Sequence, residues 1–348
     1  MKYTSLLLFI ASSACGQASN NKGESRNLTF NRFPQEQRVE LQKISSLPHT
    51  LAFNLFEHDN RLYFNSFETG QRLLYVYDLQ QRALVDSMFR RGTNECEALL
   101  PFSAGILPNQ IVWFFDPMLA RVTRQQLMSD NRQQKANMCK QYELPQGYKY
   151  LQLADTNTAY AVKDIQMKGK ISRINFQTGA ETPLFGTFQN KPAGLSEAAW
   201  HNANTGALHF SPSKQIAVLA KTSLDEIEIF DLRHETSITV KGPEQLKPSF
   251  KQISTPDGDF LDLTKENRRA YLLSGQLTDH YIYLLYSTAF EMTDGVDYGN
   301  IIHVFDYNGN PVKKITLSAK ISAFYISEKA KSIYSISPVD GTISKGAL

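Results

Sequence analysis

The chain has 348 residues, 42% hydrophobic, 11% aromatic and 20% charged, with a net charge of +3. That composition holds ample apolar material for a core and excludes a wholly disordered chain. The small net charge argues against nucleic acid as a partner; the longest basic runs, Arg90-Arg91, Arg268-Arg269 and Lys313-Lys314, read as solvated surface charge.

The first residues differ from the rest. Lys2 precedes an apolar run, Leu6, Leu7, Leu8, Phe9, Ile10 and Ala11. The run is far short of the ~20 residues needed to span a bilayer and fits the apolar region of a secretory signal. The following Ser12-Ser13-Ala14-Cys15 resembles the lipobox of bacterial lipoproteins, with Ser12 where leucine is usual. That resemblance implies a signal peptide over 1–14 and a lipid on Cys15; the alternative is ordinary cleavage that loses Cys15 or leaves a free thiol. Gly16 after the cysteine, rather than aspartate, implies the outer membrane. The expected location is therefore exported and lipid-anchored in the cell envelope. Residues 15–36 are rich in Ser, Asn, Gly and Gln and are expected to form a flexible tether.

From residue 37 onward a unit recurs. Its clearest part is a short strand: 61–67 (RLYFNSF), 110–116 (QIVWFFD), 158–164 (TAYAVKD), 215–221 (QIAVLAK), 281–287 (YIYLLYS) and 332–338 (SIYSISP). Taking Tyr63, Val112, Tyr160, Val218, Tyr283 and Tyr334 as equivalent gives intervals of 49, 48, 58, 65 and 51 residues. The shorter intervals suit a four-stranded blade of ~40–50 residues. After it comes a hairpin with Asp or Asn at the strand exit: 73–85, 171–184, 226–240 and 301–317, with a degraded copy at 113–127. Asp78, Asp231 and Asp306 are expected to cap these turns through backbone N–H groups, a structural role. Before it lie less regular apolar stretches, 50–56, 148–153, 207–211 and 321–326, expected as innermost strands. Helical periodicity is weak, with short candidates only at 121–128 and 263–273.

The expected fold is all-β, a six-bladed β-propeller over 37–348. The last unit has three strands, and 37–47 is a strand without a blade, so the N-terminal strand is expected to close the last blade and remove an exposed edge. Two β-sandwiches are the alternative architecture. Cys96 and Cys139 are either one disulfide or two buried thiols.

The hairpins YVYD and HVFDYNG, the closing SIYSIS…GTIS segment and the lipobox together resemble the TolB-like six-bladed propeller lipoproteins of Gram-negative bacteria. Many members carry a Gly-x-Gly-Pro-x-Glu-like loop after the first blade; here Gly92 and Glu97 match it, and the second Gly and the Pro are absent. The resemblance implies an architecture more than an activity.

No nucleophile elbow, paired-histidine metal motif or cofactor fingerprint is present, so no catalytic residue, metal or cofactor is assigned. The expected role is a membrane-tethered module that binds a protein or a small molecule. Candidate anchors are Arg90, Arg91, Glu95, Tyr148, Trp200 and Tyr298, the aromatic and charged residues placed near loops. For Trp200, packing between blades competes with ligand contact. The stretch 289–300 is expected to be a long loop, whose Asp294 and Asp297 fall short of a full calcium ligand set. The alternative is a hydrolase or lactonase with Glu57, Asp155, Asn204 and Asp279 converging at the central channel.

Overall fold

Six sheets stand in a ring, each packed face to face on the next. This is a computed structural model, and it describes residues 25–47, 52–66, 72–127, 139–164, 168–246, 250–255 and 258–348. The signal peptide expected over 1–14 and the lipidated Cys15 lie outside the described residues.

Three N-terminal strands, β1 (Ser25–Thr29), β2 (Glu36–Val39) and β3 (Gln42–Ser46), precede the first blade. Blade 1 is β4 (Leu55–His58), β5 (Arg61–Asn65), β6 (Arg72–Asp78) and β7 (Ala83–Arg91), with the short β8 (Glu97–Ala98) on its rim. Blade 2 is β9 (Ser103–Leu107), β10 (Ile111–Asp116), β11 (Arg121–Gln126) and β12 (Cys139–Glu143). Blade 3 is β13 (Tyr148–Leu153), β14 (Thr158–Lys163), β15 (Ile171–Asn175) and β16 (Glu181–Leu184). The one helix among the described residues, α1 (Glu197–Ala203), leads to blade 4, β17 (Gly206–Ser211), β18 (Ile216–Lys221), β19 (Glu226–Asp231) and β20 (Thr236–Lys241). A separate hairpin, β21 (Phe250–Thr255) and β22 (Gly258–Leu263), leads to blade 5, β23 (Tyr271–Leu277), β24 (Ile282–Tyr286), β25 (Gly299–Phe305) and β26 (Pro311–Ile321). Blade 6 is β27 (Ala323–Ser327), β28 (Ser332–Ile336) and β29 (Thr342–Ala347), completed by β3 in antiparallel register, Thr342 opposite Ser46.

The six repeated strands of the sequence are the second strands of the six blades. They read as continuous apolar runs because a blade in the ring has a neighbour on both faces; Val112 to Asp116 are all buried. One apolar cluster fills each gap between blades. The two long repeat intervals are explained by insertions, 185–205 with α1 and 242–270 with the extra hairpin. The strand-exit aspartates do cap turns: Asp78 accepts the N–H groups of Gln80 and Gln81 at 2.9 and 2.8 Å, and Asp306 those of Asn308 and Asn310 at 2.9 and 2.8 Å. Gly309, at φ 82°, takes the left-handed position of that last turn, which a side chain disfavours.

Four details depart from expectation. Residues 113–127 are the hairpin of the second and third strands of blade 2, not of the third and fourth. Residues 121–126, read as weakly helical, are strand β11, because tertiary pairing with β10 outweighs local periodicity. Residues 263–273 run from the end of β22 into β23. Residues 25–36, read as tether, are bound to the body: β1 pairs in parallel with β20, and β2 with β26. The chain thus straps the outer edges of blades 4 and 5 before closing blade 6. Apolar residues among the polar ones hold it there. Phe33 is buried, and Phe30 meets Phe33 and Phe305 edge-on, with centroids at 4.9 and 5.7 Å.

Cys96 and Cys139 form a disulfide with a Cα–Cα distance of 6.2 Å, stapling the rim of blade 1 to the outer strand of blade 2. It closes a loop of 43 residues, and loop-closure entropy puts its contribution at about 4 kcal/mol. Reduction, or the C96S/C139S double substitution, is expected to lower the urea midpoint with little change in slope; an unchanged midpoint would mean that the bond adds no stability.

Candidate functional site

In each blade the first strand lines the central channel. At one end of the ring come together the entries to these first strands, the loops between second and third strands, and both insertions. We call this end the upper mouth. Ser196 caps α1, its Oγ accepting the Ala199 N–H at 3.1 Å. The helix and the β21–β22 hairpin lean on each other. Leu261 N donates to Asn202 Oδ1 at 3.3 Å and Ser196 N to Gln252 Oε1 at 2.9 Å. Together they wall one side of a cavity of about 470 Å³.

The cavity has an apolar wall of Phe53, Phe102, Phe260, Leu261 and Tyr271. Its charged groups come in pairs. Lys149, on the first strand of blade 3, meets Asp164 of the same blade at 2.9 Å, and Asn202 donates to that carboxylate at 3.4 Å. Arg269, at the entry to blade 5, donates from Nε and Nη2 to the two oxygens of Glu291 at 3.0 and 2.8 Å, and from Nη1 to Asp297. Burial opposes the charge on Lys149, but Tyr150 and Asp164 outweigh it and hold its pKa above the usual lysine value. Arg269 is raised in the same way, burial being outweighed by Glu291 and Asp297. Burial also raises the Tyr150 hydroxyl. At neutral pH the cavity therefore presents two cations and two neutral phenols, Tyr150 and Tyr271, beside the carboxyl groups of Asp164 and Asp297. Among the described residues, no three His, Cys, Asp or Glu side chains are grouped to hold a metal ion.

Below the mouth the channel holds a second space of about 280 Å³, lined by first-strand residues of all six blades. First strands of neighbouring blades are joined there by glutamine side chains. Gln276 Nε2 donates to Ile326 O at 3.0 Å, and Gln152 Nε2 to Leu208 O at 2.9 Å. His209 faces Gly275, where a Cβ would come within 2.6 Å of the imidazole Nε2, so only glycine fits opposite it.

Acid–base behaviour near the mouth is set by Asp225, in the loop that follows the lining residues Thr222 and Ser223. Burial, aided by the nearby Glu244 charge and opposed by the Glu244 N–H that it accepts at 2.8 Å, pushes the Asp225 carboxyl up to about 6. An unfolded aspartate ionises near 3.9, so between about pH 6 and 4 the native state binds more protons and this group favours folding as pH falls. Above pH 6 its ionised form is a cost. Buried His209 and His303 act oppositely: burial lowers them to about 4 and about 3, so below pH 6.5 the unfolded chain takes up their protons and stability falls. Asp225→Asn is expected to stabilise the protein by about 2 kcal/mol at pH 8 and not at pH 4, and to steepen the acid decline. Thermal melts across that range check it; equal gains at both pH values would contradict the assignment.

None of the six residues nominated from sequence lines the mouth cavity. Arg90, Arg91 and Glu95 are exposed on the outer edge of blade 1, where Arg91 Nη1 donates to Leu99 O at 3.1 Å. Tyr148 is buried between blades 2 and 3, its hydroxyl donating to Glu181 at 2.6 Å. Trp200 packs against the cluster between blades 3 and 4, its indole N–H donating to Gln189 O at 3.0 Å. Tyr298 is half-buried beside the lining residue Asp297. The stretch 289–300 is largely a loop, but its Asp297 pairs with Arg269 instead of standing ready for calcium. Arg269, read as surface charge, is sunk in that network. The four groups of the hydrolase alternative do not converge. Glu57, Asp155 and Asp279 sit at the opposite end of the channel, the first two capping turns through Asn60 N and Asn157 N. Asn204 lies behind the upper cavity, bound by Lys221 at 2.7 Å. Sequence reasoning missed Lys149, Tyr150, Asp164, Asn202 and Arg269; their shared signal is position, since Lys149, Tyr150 and Arg269 stand at first-strand entries and Asp164 at a second-strand exit.

The mouth also has an apolar rim. Of the exposed large apolar side chains among the described residues, Met118, Ile253, Phe290, Met292 and Val339 all lie at this end, and only Leu84 and Val85 lie elsewhere, on β7.

A family model described as TolB-like 6-blade propeller-like matches residues 29–329. No curated protein matches the chain in sequence. Among solved structures, an exported protein from Bacteroides fragilis NCTC 9343 is similar at 11% identity and a TM-score of 0.55, covering 92% of this chain and 98% of that one. Virginiamycin B lyase from Staphylococcus aureus is similar at 13% identity and a TM-score of 0.48, covering 89% and 99%. At such identities the likeness is one of fold.

Proposed function

The chain belongs to the TolB-like six-bladed propeller family, and from that premise we propose that it is an exported lipoprotein whose propeller binds a ligand at the upper mouth. One observation carries the binding reading: the mouth holds a cavity lined by two ion pairs and by aromatic side chains, inside an apolar rim. A rigid ring that presents loops around such a cavity suits recognition. Large exposed apolar residues gathered at one end are also the usual mark of an interaction surface.

The anchor reading rests on the residues around Cys15, and the Cys96–Cys139 bond fits an oxidising compartment. The strap adds an orientation. Strand β1 starts at Ser25 beside Ser237 and runs in parallel with β20 toward the mouth, so the tether joins the body at the end opposite the mouth. The stretch between Cys15 and Ser25 reaches at most ~35 Å. In this reading the mouth faces away from an outer-membrane anchor. Cys15→Ala is expected to abolish acylation by radiolabelled fatty acid and to release the protein from the membrane fraction; undiminished labelling would refute the anchor.

The binding reading is tested by filling the cavity. Thr222→Trp would occupy it from the blade 4 side. Species that wild type retains from an envelope extract are expected to be lost with this variant and kept with a control such as Asp155→Asn at the opposite end. Retention unchanged by Thr222→Trp would rule out the mouth as the site.

A further inference from the structure

We propose that the mouth cavity takes short peptides with both ends free and charged; this rests on the reading of the mouth as the binding site. The lining charges balance, Lys149 and Arg269 against Asp164 and Asp297. A simple anion placed here would meet two carboxylates, and a simple cation would meet two cations. A ligand carrying one charge of each sign meets neither penalty.

The pairs have bonding capacity to spare. Arg269 has five N–H groups, of which two bind Glu291 and one binds Asp297. Lys149 has three, with one oxygen, Asp164 Oδ1, as its partner. That same oxygen takes the Asn202 bond, so among the described residues Asp164 Oδ2 is left to a ligand, and Asp297 likewise engages Arg269 through Oδ1. Each pair can thus add a carboxylate at its cation or an ammonium at its carboxylate.

Size favours a peptide over a single amino acid. The Lys149–Asp164 pair belongs to blade 3 and the Arg269–Asp297 pair to blade 5, with Thr222 and Ser223 of blade 4 between them. The two pairs are close enough to act on each other, Arg269 opposing the charge on Lys149, so a free-ended ligand can reach one pair with each end. The volume, about 470 Å³, lies within the ~300–1,000 Å³ of small-molecule sites. Phe53, Phe102, Phe260 and Tyr271 along the span would receive apolar side chains.

The test uses the full mature chain and a library of free-ended tripeptides, with retained members identified by mass spectrometry after equilibrium dialysis. Members with apolar side chains are expected to be retained. Acetylating the amino end or amidating the carboxyl end should each weaken binding at least tenfold. The double variant K149Q/D164N, which removes one pair while leaving polar groups in place, should weaken it by a similar factor at an unchanged melting temperature. Should that variant fail to fold, D297N serves in its place. Equal affinity for blocked and free-ended peptides would overturn this proposal and leave the mouth as a binding site. So would a library with no retained member while the Thr222→Trp-sensitive species from envelope extract still bind. Retained peptides indifferent to both K149Q/D164N and Thr222→Trp would overturn the proposal and the mouth reading together.

Discussion

A chain beginning at residue 47 is expected to show no cooperative thermal transition and to aggregate on expression. It would lack β3, the fourth strand of blade 6, and leave β29 with an unpaired edge. It would also open the ring, because Ile44 of β3 packs against the cluster between blades 6 and 1. A chain beginning at residue 36 is the informative comparison. It keeps β2 and the closing strand but loses β1 and the two phenylalanines that pack between blades 4 and 5. Removing one buried Phe costs about 3–5 kcal/mol, so this form should fold and melt at least about 5 °C lower. Calorimetry of the two truncations against the chain from residue 16 measures both. A fully stable chain from residue 47 would mean that closure does not depend on the N-terminal strand.

Arg269→Met is expected to destabilise the protein by about 3 kcal/mol, because it strands the buried Glu291 carboxylate without its cation. The partial exposure of Arg269 and Asp297 keeps the cost from being larger. The double substitution R269M/E291M should recover most of the loss, since it removes both members of the buried pair. A double-mutant cycle by urea unfolding gives the coupling. A single variant as stable as wild type would show that the network at the mouth contributes nothing to the fold. Because Arg269 also lines the cavity, the stable double variant is expected to lose ligand, which separates the binding role from the structural one.

The blades were legible because the ring buries both faces of every second strand, giving apolar runs at near-constant spacing; Tyr63, Val112, Tyr160, Val218, Tyr283 and Tyr334 all fall in that strand. The closing strand was legible from a shortage in the last unit. The strap was hidden by composition: Leu28, Phe30 and Phe33 are few among Ser, Asn and Arg, although Leu28 and Phe30 stand at the alternate spacing of a strand. The disulfide was undecidable because the approach of Cys96 to Cys139 depends on how two blade rims pack. At the site, the nominated aromatics missed by one or two residues, Tyr148 beside Lys149, Trp200 near Asn202 and Tyr298 beside Asp297. Tyr148 and Lys149 are neighbours on β13 and point to opposite faces, so knowing that the strand reaches the mouth does not tell which of the two side chains enters it. The large aromatic side chains of Tyr148 and Trp200 went into blade packing, and the smaller polar neighbours face the cavity.

The most direct test of the mouth as the binding site is a hydrogen-exchange footprint of the full mature protein with and without the species it retains from envelope extract. Protection is expected in peptides covering 149–150, 202–205, 222–223, 260–261 and 269–273, with none in the turns at 108–110 and 278–281 at the opposite end. Protection confined to the opposite end or to the outer edges of the blades would contradict the account.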